Sequence, residues 1–325
     1  MMMSAWRAGG AAFTAALVLS SCTDPAAHVA RPAEAPAFAV SSEPALDEGY
    51  IRHQLQQMNA QLAARGLNLA IDRVEMSFVP SAHAANPNVV FFFDRSLRIG
   101  SRWVPNDARR LADGTNITYA HFVPFLNATD AGFIEPSLDA AFDTWNSVTC
   151  SKLPLVKRTL APNVYPGFVD QSLFGLSGLV WNPFAADIIT LGFIDGMFFD
   201  LLLGPGARDA VLGVTITLVF TDAAGNPTDI DANGRLDTGI KEIWYNNDFS
   251  WSTNGTGDAD VESTALHEEG HALELGHFGR IAVNTKIGRL NVSPRAVMNA
   301  VIFGLRTPLG TDNGAYCGNW AYWPN

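Results

Sequence analysis

Apolar residues recur at helical spacing along residues 46–65, where one stripe consists of Ile51, Leu55, Met58 and Leu62. Gly66 follows this stripe and is placed to end the helix, because glycine readily adopts the left-handed conformation that closes one. Two runs of apolar and β-branched residues, over residues 67–79 and 89–93, predict strands. We therefore predict a small helix-plus-strand appendage over residues 46–113, ahead of the main domain.

The rest of the chain mixes short strand patterns with helical ones. Strands are predicted over residues 116–119, 155–160, 187–193, 214–220 and 242–246. A helix is predicted to open at Pro136 and to pack one face on a sheet, the face formed by Leu138, Phe142 and Trp145. Further helices are predicted over residues 261–273 and 313–322. The pattern predicts an α+β fold for a main domain over residues 114–325.

Composition narrows the class of protein and of partner. The 325-residue chain is 48% apolar and 16% charged, with a formal net charge of −11. This is the composition of a globular protein, because a disordered chain has too few apolar residues to form a core. Nucleic-acid binding needs clustered lysine and arginine, which the sequence lacks. We therefore expect no nucleic-acid partner.

Residues 1–22 have the layout of a secretory signal, with one positive charge at Arg7, an apolar stretch over residues 11–19 and small residues before Cys22. Residues 19–22 resemble the lipobox of bacterial lipoproteins, in which the cysteine becomes the lipidated first residue. The resemblance implies an exported protein, lipidated on Cys22, with Thr23 after it indicating the bacterial outer membrane or cell surface. The alternative is ordinary secretion, with cleavage near residues 27–30. The Ala/Pro-rich residues 23–45 predict an extended tether, so only the lipid anchor would touch the membrane.

Export changes the interpretation of the other two cysteines, Cys150 and Cys317. Once Cys22 is lipidated, these two are an even pair in an oxidising compartment, where a disulfide is the default. The alternative is two free buried thiols. We predict a Cys150–Cys317 bridge.

The predicted helix over residues 261–273 contains the spacing H-E-x-x-H from His267 to His271. Residues four apart lie on one helix face, so His267 and His271 can bind one zinc ion while Glu268 reaches a water molecule beside it. His277 follows six residues after His271 and is the candidate third ligand. The alternative is a polar helix face with solvated histidines. The spacing predicts a zinc site.

The segment HEEGHALELGH, residues 267–277, resembles the signature H-E-x-x-H-x-x-G-x-x-H of the metzincin zinc proteases. Flanking residues are similar to the matrixin branch: Met298 matches the methionine of the turn beneath the zinc, and Ala141, Phe142 and Trp145 match its first helix. The resemblance covers about residues 116–325. It implies a mixed, mostly parallel sheet with an antiparallel edge strand, an active-site helix, a Met-turn and a C-terminal helix.

Glu274 stands where the signature has a glycine. Metzincins use that glycine to turn sharply out of the helix, and a non-glycine residue in a left-handed conformation costs about 1 to 2 kcal/mol. An alternative is that Glu274 is itself the third zinc ligand and displaces His277. We interpret Glu269 as solvated surface.

The predicted function is a zinc-dependent endopeptidase that acts on a protein or peptide substrate. Three neutral imidazoles leave zinc an open position, and Glu268 would take the proton of the attacking water as general base. Two alternatives remain: a catalytically weak metzincin-like surface lipoprotein that acts as a binding module, and a zinc hydrolase that is not a peptidase.

An acidic loop precedes the histidine helix. Its residues 229–237 match the first nine positions of an EF-hand-type calcium loop, with oxygen ligands at Asp229, Asp231, Asn233 and Asp237. The final ligand is displaced to Glu242. The sequence predicts Ca²⁺ here, in a structural role, with an Asx-rich surface turn as the alternative. The strand over residues 242–246 that follows corresponds, in metzincin-like folds, to the edge on which a peptide substrate lies antiparallel.

Overall fold

The computed structural model describes residues 48–80, 100–110, 114–122, 128–161, 164–176, 181–182, 184–256, 259–284 and 289–324. These residues belong to one compact unit that spans residues 32–325. The signal, the lipidation site Cys22, the tether and the strand predicted over residues 89–93 lie outside the described residues. Among the described residues, no helix has both the length and the apolar character needed to cross a membrane.

The described chain forms six helices and nine strands. The helices are α1 (Glu48–Ala64), α2 (Ala128–Asn146), α3 (Val169–Phe174), α4 (Met197–Leu203), α5 (Val261–Ala272) and α6 (Gly310–Trp320). The strands are β1 (Leu69–Phe78), β2 (Ser101–Arg102), β3 (Ile117–His121), β4 (Leu155–Lys157), β5 (Ile188–Ile194), β6 (Val211–Phe220), β7 (Leu236–Asn246), β8 (Arg280–Asn284) and β9 (Arg289–Ser293). Most predicted elements are confirmed, with ends that differ by a few residues.

One sheet of seven strands organises the fold, in the order β1-β6-β7-β5-β3-β4, with β2 paired to the start of β7. The pairs β7/β5, β5/β3 and β3/β4 are parallel, whereas β1/β6 and β6/β7 are antiparallel. Strands β8 and β9 form a separate hairpin. This mixed, mostly parallel sheet agrees with the predicted α+β class.

Strand β1 corrects two predictions. It pairs with β6 along its whole length, from Leu69 opposite Phe220 to Phe78 opposite Val211. Residues 46–113 therefore contribute to the main sheet and are not an appendage. The antiparallel strand β6 is consequently not an edge, and β7, which carries residues 242–246, lies between β5 and β6 in the interior of the sheet. The prediction of a substrate-binding edge at residues 242–246 is wrong.

Helix α2 begins earlier than predicted. Pro136 lies inside the helix and does not open it. Ile134, in the turn before the proline, is packed in the core. The free energy gained by burying this side chain offsets the loss of the hydrogen bond that proline cannot donate. The predicted face of Leu138, Phe142 and Trp145 is confirmed, because all three side chains are buried.

Apolar residues fill both faces of the sheet. Along β5, Ile188 faces the cluster that contains α2, α5 and α6, whereas Ile189 and Leu191 face the cluster that contains α1 and α4. This alternation follows from the two-residue repeat of a strand. The histidine helix α5 is therefore held between the sheet and two other helices.

Cys150 and Cys317 form a disulfide, as predicted, with a Cα–Cα distance of 5.4 Å. Cys150 lies just after α2, and Cys317 lies within α6. The bridge closes a loop of 167 residues that includes the whole histidine helix. It therefore ties together the two helices that flank α5.

Replacing both cysteines, with Cys150→Ser and Cys317→Ser, is expected to lower the free energy of unfolding by about 4 to 5 kcal/mol, because the unfolded chain regains the entropy of a long loop. Urea unfolding of the double variant beside the wild-type chain measures this loss. The matched control is Cys22→Ser, which should leave the unfolding midpoint unchanged. Equal stability of the double variant and the wild-type chain would contradict a bridge in the purified protein.

Candidate metal centre

Three histidine side chains converge at the end of α5. His267 and His271 lie one turn apart on the helix, and His277 reaches them from the segment that follows. The distances between their Nε2 atoms are 3.0 Å for His267–His271, 3.1 Å for His271–His277 and 3.3 Å for His267–His277. All three side chains are buried. The sequence motif is thus brought together as its spacing predicts.

The outer ring nitrogens fix the tautomers of two of these histidines. His267 Nδ1 lies 2.7 Å from the carbonyl oxygen of Val297, and His271 Nδ1 lies 2.7 Å from that of Leu275. A carbonyl only accepts, so each Nδ1 carries the proton and each neutral ring presents an unprotonated Nε2 to the centre. Lone pairs this close repel one another unless a cation lies between them. The residues therefore fit a metal ion.

Burial keeps these rings neutral. Desolvation lowers the pKa of His267 to about 4, and its bond to Val297 opposes this only in part. Desolvation also lowers the pKa of His271 and of His277, and a hydrogen bond between His277 and the backbone of Met76 in β1 acts in the opposite direction. Neutral imidazole is the form that binds metal, so the site requires no deprotonation at neutral pH.

Glu274 takes the left-handed conformation that the metzincin glycine would take, with φ of 67°. Its carboxylate points to buried partners: Thr238 Oγ1 donates at 2.5 Å, Ser101 Oγ at 2.9 Å, and Lys241 Nζ lies 3.2 Å away. These contacts hold the Glu274 carboxylate away from the three histidines. The structure therefore does not support the alternative in which Glu274 replaces His277 as a ligand. The sharp turn forms without a glycine because these contacts hold it.

Lys241 is the buried cation of this arrangement. Its ammonium group also donates to Thr217 Oγ1 at 2.8 Å and to the carbonyl oxygen of His271 at 3.4 Å. Burial lowers the pKa of Lys241, while the charge of Glu274 raises it. The ion pair thus links β7 to the last turn of the histidine helix. The sequence signal was present, since a charged residue in the apolar β7 pattern needs a buried partner.

Met298 lies directly against the histidine helix, as the resemblance implied. A side chain at Gly270, between His267 and His271, would collide with the sulfur of Met298. Asp312 holds the turn in place, because its carboxylate accepts hydrogen bonds from the backbone N–H groups of Val297 at 2.9 Å and Met298 at 3.1 Å. The same turn supplies the Val297 carbonyl that orients His267.

Three tryptophan indoles anchor α5, a feature that sequence reasoning missed. Trp145 Nε1 donates to the carbonyl oxygen of Leu266 at 2.9 Å, and Trp320 Nε1 donates to that of Leu273 at 2.9 Å. Trp103 Nε1 donates to that of Ala272 at 3.2 Å. Two of these bonds satisfy carbonyl groups at the C-terminal end of the helix, where no further turn is available.

Glu268 lies in a buried position between β1 and β6. Ser77 Oγ donates to its Oε1 at 2.6 Å, and Thr215 Oγ1 donates to its Oε2 at 2.7 Å. Gly213 of β6 leaves the room for this carboxylate, since an added Cβ would lie about 3.0 Å from it. Desolvation raises the pKa of Glu268 to about 8, and the two hydroxyl donors oppose the rise.

The neighbouring Glu269 is not solvated surface, and that interpretation is wrong. Its side chain is fully buried, and neither carboxylate oxygen has a hydrogen-bond partner. Burial raises its pKa well above the usual value, and the charges of Asp139 and Asp143 act in the same direction. The sequence motif gives no signal for this, because a lone glutamate in a polar helix is normally exposed.

The acidic loop brings some of the predicted calcium ligands together. Carboxylate oxygens of Asp229, Asp231 and Asp237 lie within 4.8 Å of one another. Asn233 directs its amide nitrogen to Asp231 at 2.9 Å, and Asp237 is paired with Arg109 at 2.8 Å. Calcium in this loop stays a prediction.

Glu242 is not part of that loop, which corrects its assignment as a calcium ligand. It lies in β7. Its carboxylate accepts hydrogen bonds from the backbone N–H groups of Phe168 at 2.7 Å and Val169 at 3.2 Å, where α3 begins. Desolvation raises its pKa to about 8, and the charge of Asp170 adds to the rise. The two-residue repeat of β7 turns Glu242 into the core instead of towards the loop.

Comparison of the chain with models of known protein families gives no match, and comparison with curated proteins gives no significant match either. The resemblance of residues 116–325 to metzincins therefore depends on the motifs alone.

Removing the carboxylate of Glu274 is expected to destabilise the fold although glycine suits the backbone better. Glu274→Gly relieves the left-handed strain but leaves Lys241 buried without a counter-charge, a loss of about 3 to 5 kcal/mol. Adding Lys241→Met to this variant should recover most of the lost free energy of unfolding. Urea unfolding of the two single variants and the double variant completes the cycle. Unchanged stability of Glu274→Gly would show that the ion pair does not hold the turn.

Glu242 should make stability depend on pH. Its pKa is about 8 in the fold, above the ordinary value of 4.5, so the contribution of this carboxyl is fully present below pH 4.5 and is lost as pH rises through 8. Glu242→Gln should therefore lose less stability than the wild-type chain between pH 5 and pH 9, measured by urea unfolding. The surface variant Glu135→Gln is the control and should follow the wild-type curve. A curve for Glu242→Gln as steep as that of the wild-type chain would contradict the raised pKa.

Proposed function

We propose that the chain is a zinc-dependent endopeptidase that hydrolyses peptide bonds in proteins. The observation that supports this best is the convergence of the Nε2 atoms of three histidines, within 3.3 Å of one another, beside the helix that carries Glu268. A structural zinc site normally has four protein ligands, whereas three leave a position for substrate or water. Among the described residues, only these three histidines form the buried metal group.

Zinc is the metal proposed. Three nitrogens bound tetrahedrally at about 2.1 Å from zinc lie about 3.4 Å apart, close to the separations found here. When bound, zinc supplies Lewis acidity for a carbonyl group and for water. His267, His271 and His277 would hold it, and the carbonyl groups of Val297 and Leu275 orient two of the rings.

Glu268 is the proposed general base. It directly follows His267 on α5, so its carboxylate is placed beside the proposed zinc site, where it would take a proton from water and return it to the leaving amine. The donors Ser77 and Thr215 hold the carboxylate in place. The buried Glu269 is one position away and has no such partners, so it is not assigned a role in the reaction.

The proposal extends to the location of the protein. We propose export, lipidation at Cys22 and display on the bacterial outer membrane or cell surface, on the basis of the signal-like residues 1–22. A disulfide between Cys150 and Cys317 agrees with an oxidising compartment.

The test is cleavage of a quenched-peptide pool by the full chain, purified in detergent and loaded with one zinc ion. Glu268→Gln is expected to lower kcat about a hundredfold or more, because it removes the general base. Glu269→Gln is the matched control: it changes the neighbouring buried glutamate in the same way and should retain activity. A chelator should abolish cleavage, and added zinc should restore it.

Absence of cleavage by zinc-loaded protein, both in the wild-type chain and in Val79→Pro, which loses a backbone hydrogen bond at the end of β1, would contradict the endopeptidase proposal and favour the binding module. Equal losses in the Glu268→Gln and Glu269→Gln variants would contradict the assignment of the base.

A further inference from the structure

The outer edge of β6 is covered by β1 of the same chain. The two strands pair antiparallel from Leu69 to Phe78, with register shifts between Ile71 and Arg73 and between Ser77 and Phe78. Without β1, the edge of β6 would offer unpaired N–H and C=O groups beside Glu268, which is the arrangement that binds an extended peptide as an added strand. The position of β1 is therefore that of a peptide ligand.

The end of β1 is bonded on both sides. On one side, the N–H of Val79 donates to the carbonyl oxygen of Ala210 at 3.0 Å, next to β6. On the other side, the N–H of Phe78 donates to the carbonyl oxygen of Ala300 at 2.9 Å, and the N–H of Ile302 donates to that of Phe78 at 3.1 Å. Residues 300–302 follow the Met298 turn and run parallel to β1. The end of β1 thus lies in a slot between two backbone segments.

This slot passes directly over the metal centre. Ser77 Oγ donates to Glu268 Oε1 at 2.6 Å, so the end of β1 contacts the residue that directly follows His267 on α5. With β1 in place, His267, His271 and Glu268 are each 0% exposed and His277 is 5% exposed. A substrate carbonyl has no route to these groups while β1 remains.

Strand β1 stands at one end of the strand order, so over most of its length it has a ladder on one side only. Its central residues 72–75 are partly exposed, whereas every residue of β6 is buried. Displacing β1 breaks the β1/β6 ladder and the bonds of Phe78 to residues 300–302, and leaves the β6/β7 ladder intact.

We propose that β1 is an inhibitory segment built into the chain: it occupies the place of an extended peptide substrate beside the three histidines, and catalysis begins only when it leaves β6. This inference rests on the proposed endopeptidase function.

Two variants of the full chain weaken β1 at separate contacts. Val79→Pro removes the N–H that donates to Ala210, and Phe78→Pro removes the N–H that donates to Ala300. The matched control is Val156→Pro in β4, the strand at the opposite edge of the sheet. Two readouts are compared: cleavage of the quenched-peptide pool by the zinc form, and binding of acetohydroxamate to the cobalt form, followed by visible absorption.

Both weakened variants should cleave peptide and bind acetohydroxamate about tenfold faster than the wild-type chain, since one lost hydrogen bond of this kind shifts the opening equilibrium by about that factor. Val156→Pro should match the wild-type chain. Faster acetohydroxamate binding without cleavage supports the covering role of β1 and overturns the endopeptidase function. Cleavage and binding at the same rate in the wild-type chain and both variants overturns the inhibitory role and leaves the endopeptidase function standing.

Hydrogen exchange on the unmodified chain tests the same point without any substitution. The amides of β1 should exchange before those in the β6/β7 ladder, because β1 leaves the sheet while the rest stays folded. If the amides of β1 exchange only at the rate at which the whole sheet unfolds, the proposal is overturned.

Discussion

Two histidine rings whose outer nitrogens donate to backbone carbonyls must present unprotonated inner nitrogens, and those of His267 and His271 lie 3.0 Å apart. The Nε2 atom of His277 completes the group, and all three rings are buried. This arrangement is costly without a cation, and much of the surrounding structure maintains it. The Met298 turn supplies one orienting carbonyl, and the chain after α5 supplies the other.

The turn that delivers His277 illustrates how a buried ion pair can take over the task of a glycine. Glu274 accepts a left-handed backbone, and its carboxylate is bonded to Ser101, Thr238 and Lys241. A glycine would fit the backbone without strain but would fix nothing around it. The carboxylate instead joins the end of α5 to β2 and β7, so the position of the third histidine depends on the sheet itself.

The sequence predicted what local geometry determines. The H-E-x-x-H spacing required only a helix to bring His267 and His271 together, and most strands followed from their apolar runs. Features that depend on distant partners were not predictable in this way. Glu242 and Glu269 are buried by the packing of β7 and α5, whereas isolated glutamates in a sequence are normally expected in water. Strand β1 was recognised as a strand, but its place beside β6 depends on pairing across more than a hundred residues, which no local pattern encodes.

The pairing of β1 with β6 also has a consequence for the order of events during synthesis. The ribosome completes β1 long before it makes β6, and contacts this far apart in the chain form late because the loop between them must first close. When β6 emerges and joins β7, its partner is already present on the same molecule. The edge of β6 therefore meets β1 of its own chain before it can meet any other peptide, and the groove beside Glu268 fills as the sheet forms.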